Sequence, residues 1–166
     1  MKRFFVAGVL STLSVGAFAH DAQVNIAGEV VTESCKINNS DKLPVSIDVP
    51  LSSINTSALP SVGSWAQNTR FMVSLTDCPS AVTVKWEQFS NVDGSTGALI
   101  NTLAGGSNAQ IRVLDSAFSP INMNQDAGIN VTTGSADLVY YAQYYAKTVP
   151  VTPGKVSTYG YLSLYY

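Results

Sequence analysis

From Gln23 to Val30 the chain alternates strictly: Val24, Ile26, Gly28 and Val30 share one face of an extended segment, and Gln23, Asn25, Ala27 and Glu29 the other. The predicted strand runs on towards Cys35 and Ile37. The same period of two returns in a short strand at Val45, Ile47 and Val49, which Pro50 ends by removing a backbone donor. It returns again at Phe71, Val73 and Leu75, at Val82, Val84 and Trp86, and from Ile111 through Val113 to Asp115, with an end near Ser119-Pro120. Leu138, Tyr140, Ala142 and Tyr144 line one face of a long strand, and a last strand runs from Tyr161 to Tyr166. After the first twenty residues no segment holds a 3.6-residue apolar stripe for three turns, so the chain reads as all-β.

Polar turns separate these strands. They fall at Asn38 to Lys42, Asp93-Gly94-Ser95, Gly105 to Asn108, Pro150 and Pro153-Gly154, and Ser52 to Ala58 suits one helical turn. Seven or eight short strands with such punctuation predict an immunoglobulin-like β-sandwich. With no internal repeat or low-complexity linker, the body of the chain reads as one domain.

The N-terminus has a different pattern. Met1-Lys2-Arg3 is basic, Phe4 to Gly16 is almost wholly apolar, and Ala17-Phe18-Ala19 is a small-x-small cleavage site before His20. Residues 1–19 therefore read as a secretory signal peptide, too short to span a bilayer, where about 20 apolar residues are needed. Once Lys2 and Arg3 leave with it, seven basic residues face eleven acidic ones, which favours neither nucleic acid nor an anionic membrane. Export to an oxidising compartment makes a Cys35–Cys78 disulfide the expected state of the two cysteines. Closing a loop of about 44 residues constrains the unfolded chain by roughly 4 kcal/mol.

Chemistry is mostly absent from the pattern. Ser-His-Asp and Cys-His sites need an imidazole in a fixed place, and the single histidine, His20, falls at the mature N-terminus. One histidine, with cysteines that lack ligand spacing, leaves no metal site, and no cofactor is expected. Asp41, Asp48, Asp93 and Asp126 sit in predicted turns, where aspartate shapes backbone, which disfavours paired-carboxylate catalysis. Asn38-Asn39-Ser40, Asn55-Thr56-Ser57 and Asn130-Val131-Thr132 match the glycosylation sequon and are read as turns and strand ends. Alternation puts Tyr140 and Tyr144 inside and Tyr141 and Tyr145 outside, where tyrosine faces serve either as contact surface for sugars or neighbouring proteins or as plain sheet covering. Trp86 is read as core, and Trp65, in a predicted polar loop, is assigned to neither role.

The last strand ends with the sequence, whereas an immunoglobulin-like sandwich needs one strand more. The expectation is an open groove lined by core side chains, with unpaired backbone on its flanks. The alternating segment before Cys35 suits such a groove in another copy, Val24, Ile26 and Val30 filling pockets while Gly28 lets backbones approach.

Four pieces then carry a resemblance over essentially the whole mature length: Val24-Asn25-Ile26-Ala27-Gly28-Glu29-Val30-Val31 before Cys35; Phe71 to Leu75 before Asp77-Cys78; Ala109 to Asp115 ending in Leu-Asp; and Leu138 through Pro153-Gly154 to Leu162-Ser163-Leu164-Tyr165-Tyr166. In this order the chain resembles the type 1 fimbrial major-subunit family of chaperone–usher pilins. The resemblance implies a structural subunit and no enzyme. It implies a sandwich over residues 32–166 completed in trans, and a donor-strand extension over residues 20–31 that presents Val24, Ile26, Gly28 and Val30. It also implies a periplasmic chaperone, an outer-membrane usher and neighbouring pilin subunits as partners, with passage through the periplasm to a surface fimbria that supports adhesion. The resemblance also implies that Leu162, Leu164, Tyr165 and Tyr166 form the groove and chaperone-contact strand. Family members end on a penultimate tyrosine and a polar residue; here either Tyr165 or Tyr166 holds that place, and inward leucines select Tyr166. The alternative is a secreted carbohydrate-binding module or minor adhesive subunit using Tyr141, Tyr145 or Trp65.

Overall fold

The computed structural model describes residues 34–166 apart from 41, 79, 80 and 133. The signal peptide, its cleavage site and the donor residues Val24, Ile26, Gly28 and Val30 lie outside the described residues.

Alternation becomes strand wherever two alternating segments meet. Among the described residues the strands are β1 (Lys36–Ile37), β2 (Trp65–Cys78), β3 (Val82–Trp86), β4 (Gln110–Leu114), β5 (Ile129–Val131), β6 (Gly134–Tyr145) and β7 (Leu162–Tyr165), with a 3-10 turn at Thr56–Ala58. Asn55 caps that turn, its side-chain oxygen accepting the Ser57 N–H at 3.0 Å. Two sheets form, one in the order β1-β2-β6-β4 and one in the order β5-β3-β7, and every pairing is antiparallel.

The core lies between the sheets. Val73, Leu75, Leu138, Tyr140, Ala142, Ile111 and Val113 from the first meet Val82, Val84, Trp86 and Val131 from the second. Burying one such aliphatic side chain contributes about 1.5–3 kcal/mol, so the inward faces alone account for why these segments pair. Tyr140 stacks on Phe71 at 5.6 Å and meets the Trp86 ring edge-on at 5.4 Å. Burial, with the Asp126 charge nearby, pushes the Tyr140 hydroxyl up to about 12.

Strand β2 is long enough to need correction to its twist. Gln67 and Asp77, both at positive φ, sit at its two register shifts and absorb the extra residues, so Phe71, Val73 and Leu75 stay in phase with Tyr140, Leu138 and Ala136. Beside the second bulge Cys78 bonds to Cys35, which staples the entry of β1 to the end of β2. Gly128 is obligatory for a different reason: at φ +79° a Cβ there would lie 2.9 Å from the Val84 carbonyl oxygen.

Two expectations need correction. Val45, Ile47 and Val49 form no strand, although their burial alternates as predicted and Ile47, Val49 and Leu51 pack on the core. Alternation fixes which side chains face inwards, but a strand also needs a partner, and this segment has none among the described residues. Tyr145 lies on the outer face of its sheet yet is only 8% exposed, because the Arg112 guanidinium sits 3.7 Å above its ring. The position expected to be a surface contact is covered.

Candidate functional site

Among the described residues, strand β7 has one neighbouring strand, β3. Leu162 pairs with Trp86 and Leu164 with Val84, so both leucines turn inwards and pack on the core. They are partly buried. On its other side β7 meets no strand among the described residues. The second unpaired run is residues 45–51, whose inward side chains reach the same core.

Two features lie beside these runs. At one end the Tyr166 hydroxyl accepts the Cys35 N–H at 2.8 Å, which ties the residue after β7 to the residue before β1. At the other, a cavity of about 520 Å³ opens between residues 51–56 and residues 151–156. Leu51, Ile54 and Leu59 line one wall, Val151 and Val156 the other, with Tyr144 among the lining residues. Burial raises the Tyr144 hydroxyl above its usual range, so it stays neutral. Among the described residues, β7 therefore has one strand neighbour and residues 45–51 have none.

The predicted C-terminal residues divide between two faces. Leu162 and Leu164 point into the sandwich, whereas the Tyr165 hydroxyl donates to Glu87 on the outer face. That bond raises the Tyr165 pKa. Tyr166, in phase with the leucines, reaches Cys35. The structure brings Cys35, Cys78, Leu162, Leu164 and Tyr166 to one edge of the molecule, with Tyr165 on the reverse of the same strand.

The outward tyrosines form no common site. Tyr141 is half-buried under Phe118, the rings stacking at 4.3 Å, and Tyr145 lies beneath Arg112. Trp65 pairs with Tyr145 in register but stands exposed at the start of β2.

Sequence reasoning missed the tightest polar cluster. Asp93 is buried, and one carboxylate oxygen accepts from the backbone N–H groups of Ser95 and Thr96, each at 3.0 Å, and from both their hydroxyls. The other accepts from Gln110 Nε2 at 3.1 Å and pairs with Lys147. Burial alone would raise its pKa, but the Lys147 ammonium and the hydrogen bonds from Ser95 and Gln110 hold it well below the usual carboxylate range. Every partner is a donor of the protein itself, so the cluster acts as a clasp. It joins the β3–β4 loop to β4 and to the segment after β6. Lys147 lies 54 residues from Asp93, and no local pattern signals such a pairing. Among the described residues no three His, Cys, Asp or Glu side chains gather as metal ligands.

Comparison with known proteins identifies a family and a fold. Residues 24–166 match the family model described as fimbrial protein. The chain is 32% identical over 163 residues to the major fimbrial subunit SMF-1 of Stenotrophomonas maltophilia, an alignment covering 90% of this chain and 95% of that one. Among solved structures it is similar to a type I fimbria protein of Burkholderia pseudomallei, at 24% identity and a TM-score of 0.58 over 81% of this chain and 90% of the other. It is similar also to the P pilus rod subunit PapA, at 22% identity and a TM-score of 0.60 over 81% and 99%. At these identities the two structures speak for the fold.

Proposed function

Because this chain belongs to the fimbrial protein family and is a structural subunit of a fimbria rather than an enzyme, we propose that it polymerises by donor-strand exchange through the β7 groove. The observation that carries the proposal is the pairing of opposites at one edge. Leu162 and Leu164 pack on the core from an edge strand, and residues 45–51 alternate in burial without a partner strand among the described residues. An added strand would bond to β7 and bury these side chains, and the segment over residues 20–31 of another copy has the required alternation, Val24, Ile26 and Val30 inwards with Gly28 where backbones come closest.

In this reading residues 1–19 direct export and are removed, and residues 32–166 form the sandwich. A periplasmic chaperone first fills the groove, an outer-membrane usher receives the subunit, and a neighbouring subunit's extension replaces the chaperone strand. The fimbria is extracellular, and the Cys35–Cys78 bridge stiffens the subunit before assembly.

The test is the melting temperature of the mature chain lacking residues 20–30, alone and with a peptide spanning His20 to Val31. A poorly stable truncated chain that the peptide raises strongly supports the groove. A truncated chain that is already stable and ignores the peptide means a closed sandwich and ends the proposal.

A further inference from the structure

The reverse side of the groove strand carries a second pattern. Leu162 and Leu164 face the core, so Tyr161, Ser163 and Tyr165 face outwards, and Tyr159 continues the series. Strand β3 supplies the neighbouring row. Lys85 stands opposite Ser163, and the Glu87 N–H donates to the Tyr161 carbonyl at 2.9 Å, which places Phe89 beside Tyr159. The rings of Phe89, Tyr159 and Tyr161 touch one another, with centroids 5.0, 5.5 and 6.2 Å apart. Together with Tyr165 they are 45–50% exposed.

Two properties of this face select its occupant. The first is area. An aromatic side chain buries 150–250 Å² when fully covered, so four half-exposed rings offer about 300–500 Å². A stable protein interface needs about 800 Å² from each partner, whereas a patch of this smaller size is what a monomer presents at a functional site. The second is composition. The rings alternate with Lys85, Glu87 and Ser163, so an apolar surface lies within reach of an ammonium, a carboxylate and a hydroxyl. A pyranose ring has the matching chemistry, an apolar C–H face to lie on a phenol and a rim of hydroxyls that both donate and accept.

We propose that the outer face of β3 and β7, centred on Phe89, Tyr159, Tyr161 and Glu87, binds pyranose units of a neutral saccharide. This face is distinct from the one carrying Tyr141, Tyr145 and Trp65. It is also the reverse of the groove, so strand addition and sugar binding would not compete. Each site alone is weak. Its repetition along a fimbria would raise the avidity of the assembly without new contacts, a consequence that rests on the polymer reading above.

The test uses the mature chain as a monomer with the groove filled by the donor peptide, so that failure to polymerise leaves the readout intact. Saturation-transfer NMR with cellohexaose, lactose and diacetylchitobiose as probes is expected to show transfer to at least one of them. Tyr159→Ala and Tyr161→Ala each weaken that binding about tenfold or more, with the melting temperature unchanged, while Trp65→Ala leaves binding as it was. Tyr161→Phe, which keeps the ring and the fold, retains most of it. Absence of transfer from all three probes overturns the proposal, and so does transfer that both alanine variants leave intact. If no probe binds and, with the groove left unfilled, those variants form shorter polymers than wild type, the face is a contact between copies and the proposal fails.

Discussion

Replacing Asp93 by asparagine is the sharpest single test of how the loops are held. The substitution keeps the volume and one acceptor oxygen but removes the charge, and it turns an N–H donor towards Lys147 and Gln110, which are donors themselves. Removing one partner of a buried ion pair costs about 3–5 kcal/mol. Lys147 keeps 39% of its side chain exposed and can turn to water, which lowers the expected loss to about 2–3 kcal/mol. For a domain of this size that corresponds to about 8 °C in Tm. The pH dependence gives a second reading. Asp93 is held below its ordinary value of 3.8 in the folded state, so its contribution is complete above that value and is lost as pH falls towards the folded pKa. Urea unfolding of wild type and Asp93→Asn between pH 7 and pH 2 should show a constant difference down to about pH 4 and then convergence at about 1.4 kcal/mol per pH unit. A difference under about 0.5 kcal/mol at pH 7, or one that does not narrow in acid, would mean that the clasp contributes nothing beyond its loop geometry.

Three further outcomes are expected. Leu164→Ala removes apolar surface that an added strand would cover, about 1–2 kcal/mol, so calorimetry on the chain lacking residues 20–30 should find the donor peptide about 5–30-fold weaker, and an unchanged affinity would remove Leu164 from the groove. In alkaline titration followed by ultraviolet absorbance, Tyr140 should keep its proton until about pH 12. Its folded pKa is raised, so its contribution to stability is present below pH 10 and declines as pH rises through that window; loss of Tyr140 from the late phase in Tyr140→Phe identifies it. Replacing both Cys35 and Cys78 by serine should lower stability by about 2–4 kcal/mol in the same urea assay, and a loss under 1 kcal/mol would show that β1 stays docked without the bridge.

The sandwich was legible because its strands alternate and its turns carry Gly, Pro and Asx residues, so Val82, Val84 and Trp86, or Leu138, Tyr140 and Ala142, declare their faces from spacing alone. Residues 45–51 show the limit of that signal. Their side chains alternate in burial as the pattern requires, but pairing depends on a neighbour that no local pattern encodes. Burial of Tyr145 depends on Arg112, which arrives from β4 on the adjacent strand, and the clasp at Asp93 depends on Lys147. Such contacts join residues distant in sequence whose types, one by one, suit a turn or a surface. The outer row of Phe89, Tyr159 and Tyr161 was hidden for a related reason, since Phe89 lies past the end of β3 and Tyr159 before the start of β7, where alternation had already been read as ended.

One structural fact underlies both functional readings, and it is the register of β7. A strand has two faces, and a shift of one residue exchanges them completely. Shifted by one, this strand would turn Ser163 and Tyr165 into the sandwich and put Leu162 and Leu164 in water, leaving neither a groove nor an outer tyrosine row. Three independent contacts oppose that shift. Leu162 and Leu164 lie opposite Trp86 and Val84 on the core side, Tyr165 reaches Glu87 on the outer side, and Tyr166 holds the Cys35 N–H at the end. The aliphatic pairs bear on stability, since misplacing two leucines forfeits several kcal/mol of burial. The tyrosine contacts bear on precision, since each is satisfied in one register only. A chain that used only the leucines could hold the strand while letting its end slide, and the two terminal tyrosines, one on each face, are what make the register single-valued.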